Sequence, residues 1–317
     1  MDRKIPSVTI ILLNYNGAED TILCLESLKN IVYIQYKIVI VDNNSNDNSL
    51  LTIETYLKLK DYNDFIIFTS PMQAMENQGK QKKITLLETG HNGGYGHGNN
   101  IGIKYALKND VDYILLLNND TVVDSNFLEP LIQMCEEDKN IGIASGQIFF
   151  EDRPDVFWFN GGTYNNCTGK LKHIDYNTIN NGQTPPPKIT FITGCLWLIP
   201  KYVFARVGYI NEEYFMYVED LEFSKRVLDA GYKLKVSNKS HIFHKVGGSS
   251  GGEITSFSMY WRTKNIIKFM KSNVLFLCWP LYLFNNVFSF SLKYLVLGRI
   301  NILKVQMNAI FDLIRKK

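Results

Sequence analysis

An α/β fold built on a mostly parallel sheet is predicted by three strand-like runs, each ending in a polar cluster. Ser7-Val-Thr-Ile-Ile-Leu-Leu13 ends in Asn14-Tyr15-Asn16-Gly17, and Lys37-Ile-Val-Ile-Val41 in Asp42-Asn43-Asn44-Ser45-Asn46-Asp47. Tyr113-Ile-Leu-Leu-Leu117 ends in Asn118-Asn119-Asp120. Unbroken apolar runs suit strands buried on both faces. Ligands of open α/β sheets gather at the carboxyl ends of strands, so these polar ends are the candidate site. The 317 residues suffice for one large α/β domain with an appendage, or for two modest domains.

The intervening elements follow in order. Ile22, Leu25 and Leu28 repeat at helical spacing, predicting a helix over 19–29, and a second helix covers roughly 49–60. Phe65-Ile-Ile-Phe68 reads as a strand, 73–83 as a surface loop or hairpin, and 84–87 as a further strand. Helices are expected near 98–109 and 126–137, and a strand over 141–150. Residues 151–187, with Gly161-Gly162 and Pro185-Pro186-Pro187, read as an irregular substrate-facing flap. Strand-like residues return over 188–199, a helix over 219–230 stops at Gly231, and a short strand covers 232–236.

Charge is unevenly placed. Residues 260–317 hold ten Lys/Arg against Asp312, a local +9, whereas the preceding residues carry −6. A basic tail on an acidic body points to an anionic surface as partner, either membrane or nucleic acid. Five cysteines, odd in number and without a C-x-x-C pair, suit buried thiols in a reducing compartment better than a disulfide frame or zinc site. The N-terminus runs into a strand with no signal-peptide core, so a cytosolic body is expected.

The cluster Gly93-Gly94-Tyr95-Gly96-His97-Gly98 invites a dinucleotide-binding reading, and its spacing fails. From Gly94 the sixth position is Asn99, and from Gly96 it is Ile101. There is no P-loop motif. Residues without a Cβ let backbone approach a bulky ligand, and the alternative is an ordinary Gly-rich turn. Asp120 at its strand end is a candidate for holding a metal or polar substrate, unless the segment is a plain turn with Asp124 or Ser125 capping the next helix. Glu219, Asp220 and Glu222 suit a helix start, where acids are favoured by the macrodipole. The aromatic flank Tyr214-Phe215-Met216-Tyr217 instead half-buries them, which favours raised pKa values and functional roles. His244 ends an apolar segment before a Gly/Ser loop and is a candidate to face the site.

Together these motifs resemble glycosyltransferase family 2 on the GT-A fold: Rossmann-like, a mostly parallel mixed sheet with flanking helices. Seven stand in order: Asn14-Tyr15-Asn16-Gly17, Val41-Asp42-Asn43-Asn44-Ser45, Asn92-x-Gly94-x3-Gly98-Asn99-Asn100-x-Gly102, Asn118-Asn119-Asp120, Thr193-Gly194, Glu219-Asp220 and His244. Arg262-Thr-Lys-Asn265 follows, so the likeness covers about residues 7–270. The pattern most resembles rhamnosyltransferase-like enzymes of bacterial surface polysaccharides. The resemblance implies inverting transfer of a sugar, rhamnose being one candidate, from a dTDP- or UDP-linked donor to a glycan or lipid-linked glycan hydroxyl. It implies Asp220 as general base, and Asp120 and His244 as ligands of a divalent cation, Mg²⁺ or Mn²⁺. Asp42 takes the nucleobase position with Tyr15 beside it, and Asn14, Asn16, Asn44, Asn92, Gly94, Asn99, Asn118 and Asn119 complete the expected donor site. Gly194, Trp197 and Glu219 are assigned to the acceptor side, Glu219 in a supporting role. Asn118 stands where the family's metal motif often carries an acid, so the cation is expected to arrive mainly with the donor; the alternative is a catalytically weakened or non-catalytic, membrane-associated sugar-nucleotide-binding partner.

On this reading residues 1–125 form a nucleotide-binding half, 126–270 an acceptor half, and 271–317 a hydrophobic and basic helical segment. Val274–Phe284 is too short an apolar run to span a bilayer, which needs about 20 residues. An interfacial or re-entrant helical pair is expected, with Trp279 and Tyr282 at headgroup depth. Lys268, Lys271, Arg299, Lys304 and Arg315-Lys316-Lys317 flank it for anionic lipid. The alternative is a helical cap packed on the catalytic domain or on a partner chain. The expected location is cytoplasmic, on the inner face of the plasma membrane, with no nucleic-acid partner.

Overall fold

The computed structural model of the chain describes residues 5–60, 62, 64–77, 79, 81–245 and 255–315. Its first half alternates β1 (Val8–Asn14), α1 (Ala18–Leu28), β2 (Tyr36–Asp42), α2 (Ser49–Leu59), β3 (Phe65–Phe68), α3 (Pro71–Glu76), β4 (Ile84–Glu88), α4 (Gly94–Lys108) and β5 (Tyr113–Asn118). There follow β6 (Thr121–Val123), α5 (Leu128–Glu137), β7 (Ile141–Phe150), β8 (Phe157–Phe159), β9 (Gly162–Tyr164), β10 (Leu171–His173) and β11 (Leu196–Pro200). The chain closes with α6 (Lys201–Val207), α7 (Glu219–Asp229), β12 (Lys233–His244), α8 (Ser256–Asn273), α9 (Trp279–Leu283), α10 (Ser289–Val296) and α11 (Ile300–Arg315). A π-helical stretch, Phe284–Phe288, joins α9 to α10.

One sheet runs in the order β3-β4-β2-β1-β5-β11-β7-β12-β6, with β8 pairing on β7. From β3 to β5 all pairs are parallel, whereas β11 is antiparallel to both β5 and β7. This is the mostly parallel mixed sheet with flanking helices expected from the sequence. The apolar runs are its core: Ile10, Ile11 and Leu12 of β1, Val39 to Val41 of β2 and Ile114 to Leu116 of β5 are fully buried. Register sets Asn14 opposite Asp42 and Leu13 opposite Asn118, so the three polar ends emerge side by side.

Several local readings change. Residues 71–76 form a helix rather than loop, because Ser70 caps the Gln73 amide and Pro71 suits the first helical turn. α4 begins at Gly94, earlier than spacing suggested, and takes in the glycine cluster. Those glycines serve protein packing. A Cβ on Gly98 would collide with Leu13, and one on Gly94, at φ +89°, with the Phe215 carbonyl. β12 is far longer than 232–236 and pairs in parallel with β7, with a register break between Ser237 and His241. The flap 151–187 contains the β9–β10 hairpin.

The expectation of buried thiols in a reducing compartment, rather than a disulfide, is overturned for two of the five cysteines. Cys167 and Cys278 form a disulfide with Cα atoms 4.9 Å apart, although they are 111 residues apart in sequence. Only the fold brings the turn of the β9–β10 hairpin against the C-terminal helices. Cys24, Cys135 and Cys195 are free and buried, and burial pushes the Cys24 and Cys135 thiols up to about 12.

Among the described residues no helix is long and apolar enough to cross a membrane. The C-terminal helices do pack on the body: Tyr282 is fully buried and its hydroxyl meets that of Tyr164 at 3.2 Å. Tyr282 therefore does not stand at headgroup depth, since its ring fills the hairpin contact. The Trp279 indole donates to the Val274 carbonyl at 3.1 Å. The other face of the same helices is apolar and open, with Phe276 74%, Leu277 90% and Val296 80% exposed. The Gly/Ser loop after His244, and Lys316-Lys317, lie outside the described residues.

Candidate active site

The strand ends are knitted by side-chain amides. Asn14 Nδ2 donates to Asp42 Oδ2 at 2.7 Å, while Asn14 Oδ1 accepts from Thr21 Oγ1 at 2.8 Å. Thr21 Oγ1 in turn accepts from Asn119 Nδ2 at 2.9 Å, so Asn14, Asp42 and Asn119 share one network. Ser45 closes it from the other side, its amide donating to Asp42 Oδ1 and its hydroxyl to Oδ2. Asn43 bridges to the next loop by donating to Asn92 Oδ1 and the Gly94 carbonyl. Asn16, at φ +52°, clasps Asn46 through two hydrogen bonds and holds the β1–α1 turn against the β2–α2 turn. Tyr15 is exposed beside it, and Asn44, at φ +61°, is exposed at the loop crest. Asn99 faces inward, its amide donating to the Tyr95 carbonyl within α4.

Asp120 lies at the mouth of β5, and β12 delivers His244 to it. Thr121 pairs with His244 across β6 and β12, and the Lys245 amide donates to the Asp120 carbonyl. His244 Nε2 is 3.2 Å from Asp120 Oδ1. That contact lacks hydrogen-bond alignment: Asp120 Oδ1 and His244 Nδ1 are both buried without a hydrogen-bond partner. The Trp158 ring packs edge-on against His244 at 4.5 Å between centroids. An orphaned carboxylate oxygen beside an imidazole suits a divalent cation. No third His, Cys, Asp or Glu joins them among the described residues, so any such cation draws its remaining ligands from substrate and solvent.

Asp220 reaches the same strand end by another route. The Asn118 amide donates to the Cys195 carbonyl, and the neighbouring Gly194 amide donates to Asp220 Oδ2 at 3.3 Å. The Leu221 amide holds Oδ1 at 2.8 Å. Burial pushes the Asp220 carboxyl up to about 6, against the amides of Leu221 and Gly194 and the charge of Arg262. Adjacent Glu219 is buried, has Oε2 unpartnered, and is raised well above the carboxylate range by burial and then by Asp220. The Tyr95 hydroxyl donates to the Gly194 carbonyl at 2.6 Å and completes this wall. One expectation fails: Trp197 is fully buried, stacked on Phe223 at 5.2 Å with its indole on the Ile192 carbonyl. It packs the core beneath the site and does not reach an acceptor.

Residues 9–208 match the profile described as glycosyl transferase family 2, and residues 113–311 that of glycosyl transferase family group 2. The chain belongs to glycosyl transferase family 2. Among curated relatives, poly-beta-1,6-N-acetyl-D-glucosamine synthase of Staphylococcus aureus (strain COL) is 25% identical over 253 residues. That match covers 78% of this chain and 52% of the relative, so the chain spans about half that protein's length. The dTDP-rhamnosyl transferase RfbF of Shigella flexneri is 25% identical over 240 residues, 72% of this chain and 76% of that one. The fold is shared with the mannosyltransferase PcManGT of Pyrobaculum calidifontis, solved with GDP-Man and Mn²⁺. It has TM-score 0.56 and 14% identity, covering 99% of this chain and 77% of that chain. It is shared also with GalNAc-T7, solved with UDP, GalNAc and Mn²⁺, at TM-score 0.59 and 15% identity, covering 84% and 48%.

In this family 2 chain, the sequence left three features of the site without an assigned role. Tyr217 and Val218 adopt φ +67° and +76° just before α7, a conformation costly for a β-branched residue. Asn265 of α8 stabilises that turn by donating to the carbonyls of Met216 and Tyr217, each at 2.9 Å. Thr21, the hub of the strand-end network, reads in sequence as one more position of α1. Asp124 does not cap α5: its carboxylate accepts from the Asn126 amide in a local turn.

Proposed function

We propose that the protein is an inverting glycosyltransferase that moves a sugar from a nucleoside diphosphate donor to a glycan hydroxyl, with Asp220 as general base. The observation that carries this is Asp220 itself: a carboxylate with its pKa pushed up to about 6, aimed by two backbone amides and linked to the end of β5 through the backbone of Gly194 and Cys195. A base must be ionised at working pH yet basic enough to accept a proton, and a pKa near 6 satisfies both.

The acceptor oxygen attacks the anomeric carbon while Asp220 takes its proton. The bond from that carbon to the diphosphate oxygen breaks on the opposite face, which inverts configuration and releases the nucleoside diphosphate. Asp42 and the amides around it hold the base and ribose end, and Asp120 and His244 face the diphosphate. A divalent cation held by that pair supplies electrostatic neutralisation of the leaving group's charge. Mn²⁺ suits a site with one imidazole, and the two structural neighbours were solved with Mn²⁺. A dTDP- or UDP-linked donor is supported by the names of RfbF and of the GalNAc-T7 complex, and rhamnose by RfbF alone.

Replacing Asp220 by Asn tests the assignment. Transfer falls by about 10²–10⁴ while donor affinity, measured by titration calorimetry with Mn²⁺, stays within twofold. Wild-type transfer by the Asn variant would refute the base.

We further propose that residues 271–317 rest on an anionic membrane from the cytoplasmic side, bringing the enzyme to lipid-linked acceptors. The open apolar face around Phe276, Leu277 and Val296, near Lys271 and Lys293, supports this.

A further inference from the structure

A cleft of about 1010 Å³ opens between the β9–β10 hairpin and the C-terminal helices. It shares no residue with the strand-end network or with the Asp120–His244 pair. Lys170 and Lys172 stand on the hairpin, Lys188 lies on the segment entering the core, and Arg262 projects from α8. Asn285 and Asn286 line the remaining side, both donating to the Thr168 carbonyl and so bracing the hairpin against the π-helical stretch.

The charge in this cleft is one-sided. Four cations line it and no carboxylate does. Among the described residues none of the four takes part in an ion pair, although Lys201, Lys225, Arg226, Lys233 and Lys245 elsewhere each hold an acid. Charges of one sign lining a concave wall focus a positive potential. Such a wall suits an anionic ligand, and four cations suit a multiply charged group better than a single carboxylate.

The cleft is linked to the reacting end of the site through Arg262, whose charge also acts on Asp220. The segment bearing Lys188 continues to Gly194, whose amide holds Asp220. From the other wall, Arg262 lies one helical turn before Asn265, which anchors the turn leading into Asp220. Both walls of the cleft thus lead along the chain to segments that position Asp220.

We propose that the cleft binds a phosphate or diphosphate carried by the acceptor, with Lys170, Lys172, Lys188 and Arg262 as its cationic wall. This rests on the glycosyltransferase reading and narrows the acceptor from any glycan to a phosphate-bearing one. The phosphate has two chemical sources: the diphosphate of a lipid-linked sugar, or the phosphodiester of a soluble glycan chain.

Inorganic pyrophosphate without divalent metal is the direct probe, titrated into the full-length protein and into a Lys170→Gln/Lys172→Gln/Lys188→Gln variant. The expected result is at least a tenfold weaker Kd in the variant, partly restored when the same three positions carry Arg. Equal affinity in the two proteins overturns the proposal, with unchanged circular dichroism and Tm as the folding control. Transfer assays with a polyprenyl diphosphate-linked sugar, a soluble polyol-phosphate glycan and a neutral glycan then separate the sources. The variant is expected to raise KM at least tenfold for one phosphate-bearing acceptor, leaving kcat and the donor KM unchanged. An equal rise with the neutral glycan, or a rise in donor KM instead, counts against it. If pyrophosphate binding depends on the lysines yet no donor yields transfer, the cleft stands as an anion site and the glycosyltransferase reading fails separately.

Discussion

Two adjacent carboxyl groups at the start of α7 differ in environment. Glu219 is buried with one oxygen unpartnered, and burial and then the neighbouring Asp220 raise its carboxyl well above the usual range, whereas two amides and the Arg262 charge hold the rise of Asp220 to about 6. A base must be deprotonated to act, so kcat/KM is expected to fall about tenfold per pH unit below about 6 and to level off above it. A pH–rate profile from pH 4.5 to 8 checks this, and a flat acid limb would remove Asp220 as the titrating base. The sequence offered helix-start chemistry or a functional acid for this cluster. The family resemblance chose Asp220 over Glu219, and in the fold it is Asp220 that meets the Gly194 amide.

At the scale of elements, the site depends on how closely α4 and α8 approach the turn before α7. Tyr95 donates its amide to the Phe215 carbonyl, an approach permitted because residue 94 is glycine at φ +89°. Gly94→Ala is expected to destabilise by at least about 1–3 kcal/mol through backbone strain alone, read as a lower urea midpoint. Asn265→Ala leaves two carbonyls without their side-chain donor. A loss of about 1–3 kcal/mol is expected, together with a lower kcat and little change in donor KM. An unchanged kcat would show that the 217–218 turn holds its shape without Asn265. The motif spacing in sequence marked these glycines and this asparagine, but attributed the glycines to ligand approach. Their partners, Leu13 and Phe215, are distant in sequence and were invisible there.

Across the whole molecule, the C-terminal helices are both a cap on the body and an open apolar surface. The disulfide between Cys167 and Cys278 clips them to the β9–β10 hairpin. Closing a loop of this length removes about 4–5 kcal/mol of unfolded-state chain entropy in the simplest account. Reduction is therefore expected to lower Tm, and Cys167→Ser to show the same Tm with or without reductant. The membrane proposal is tested in the full chain by Phe276→Asp/Leu277→Asp/Val296→Asp, which spares buried Tyr282 and Val287. Flotation with phosphatidylglycerol liposomes is expected to be lost in this variant, and equal flotation would end the proposal.

The sequence by itself determined the sheet. Long apolar runs with polar ends are a local pattern, and hydrophobic burial leaves them few alternatives to parallel central strands. It also marked Asp42, Asp120, Asp220 and His244, because each breaks an apolar pattern at an element's end. Only the tertiary structure decided what those residues meet. Register set Asn14 beside Asp42, the long β12 carried His244 to Asp120, and the crossing of hairpin and helix paired two cysteines 111 residues apart. It also sent Trp197 into the core and gathered four cations from three separate segments around one cleft. Periodicity reports which face of an element is buried, whereas contacts across a hundred residues arise from packing the elements together.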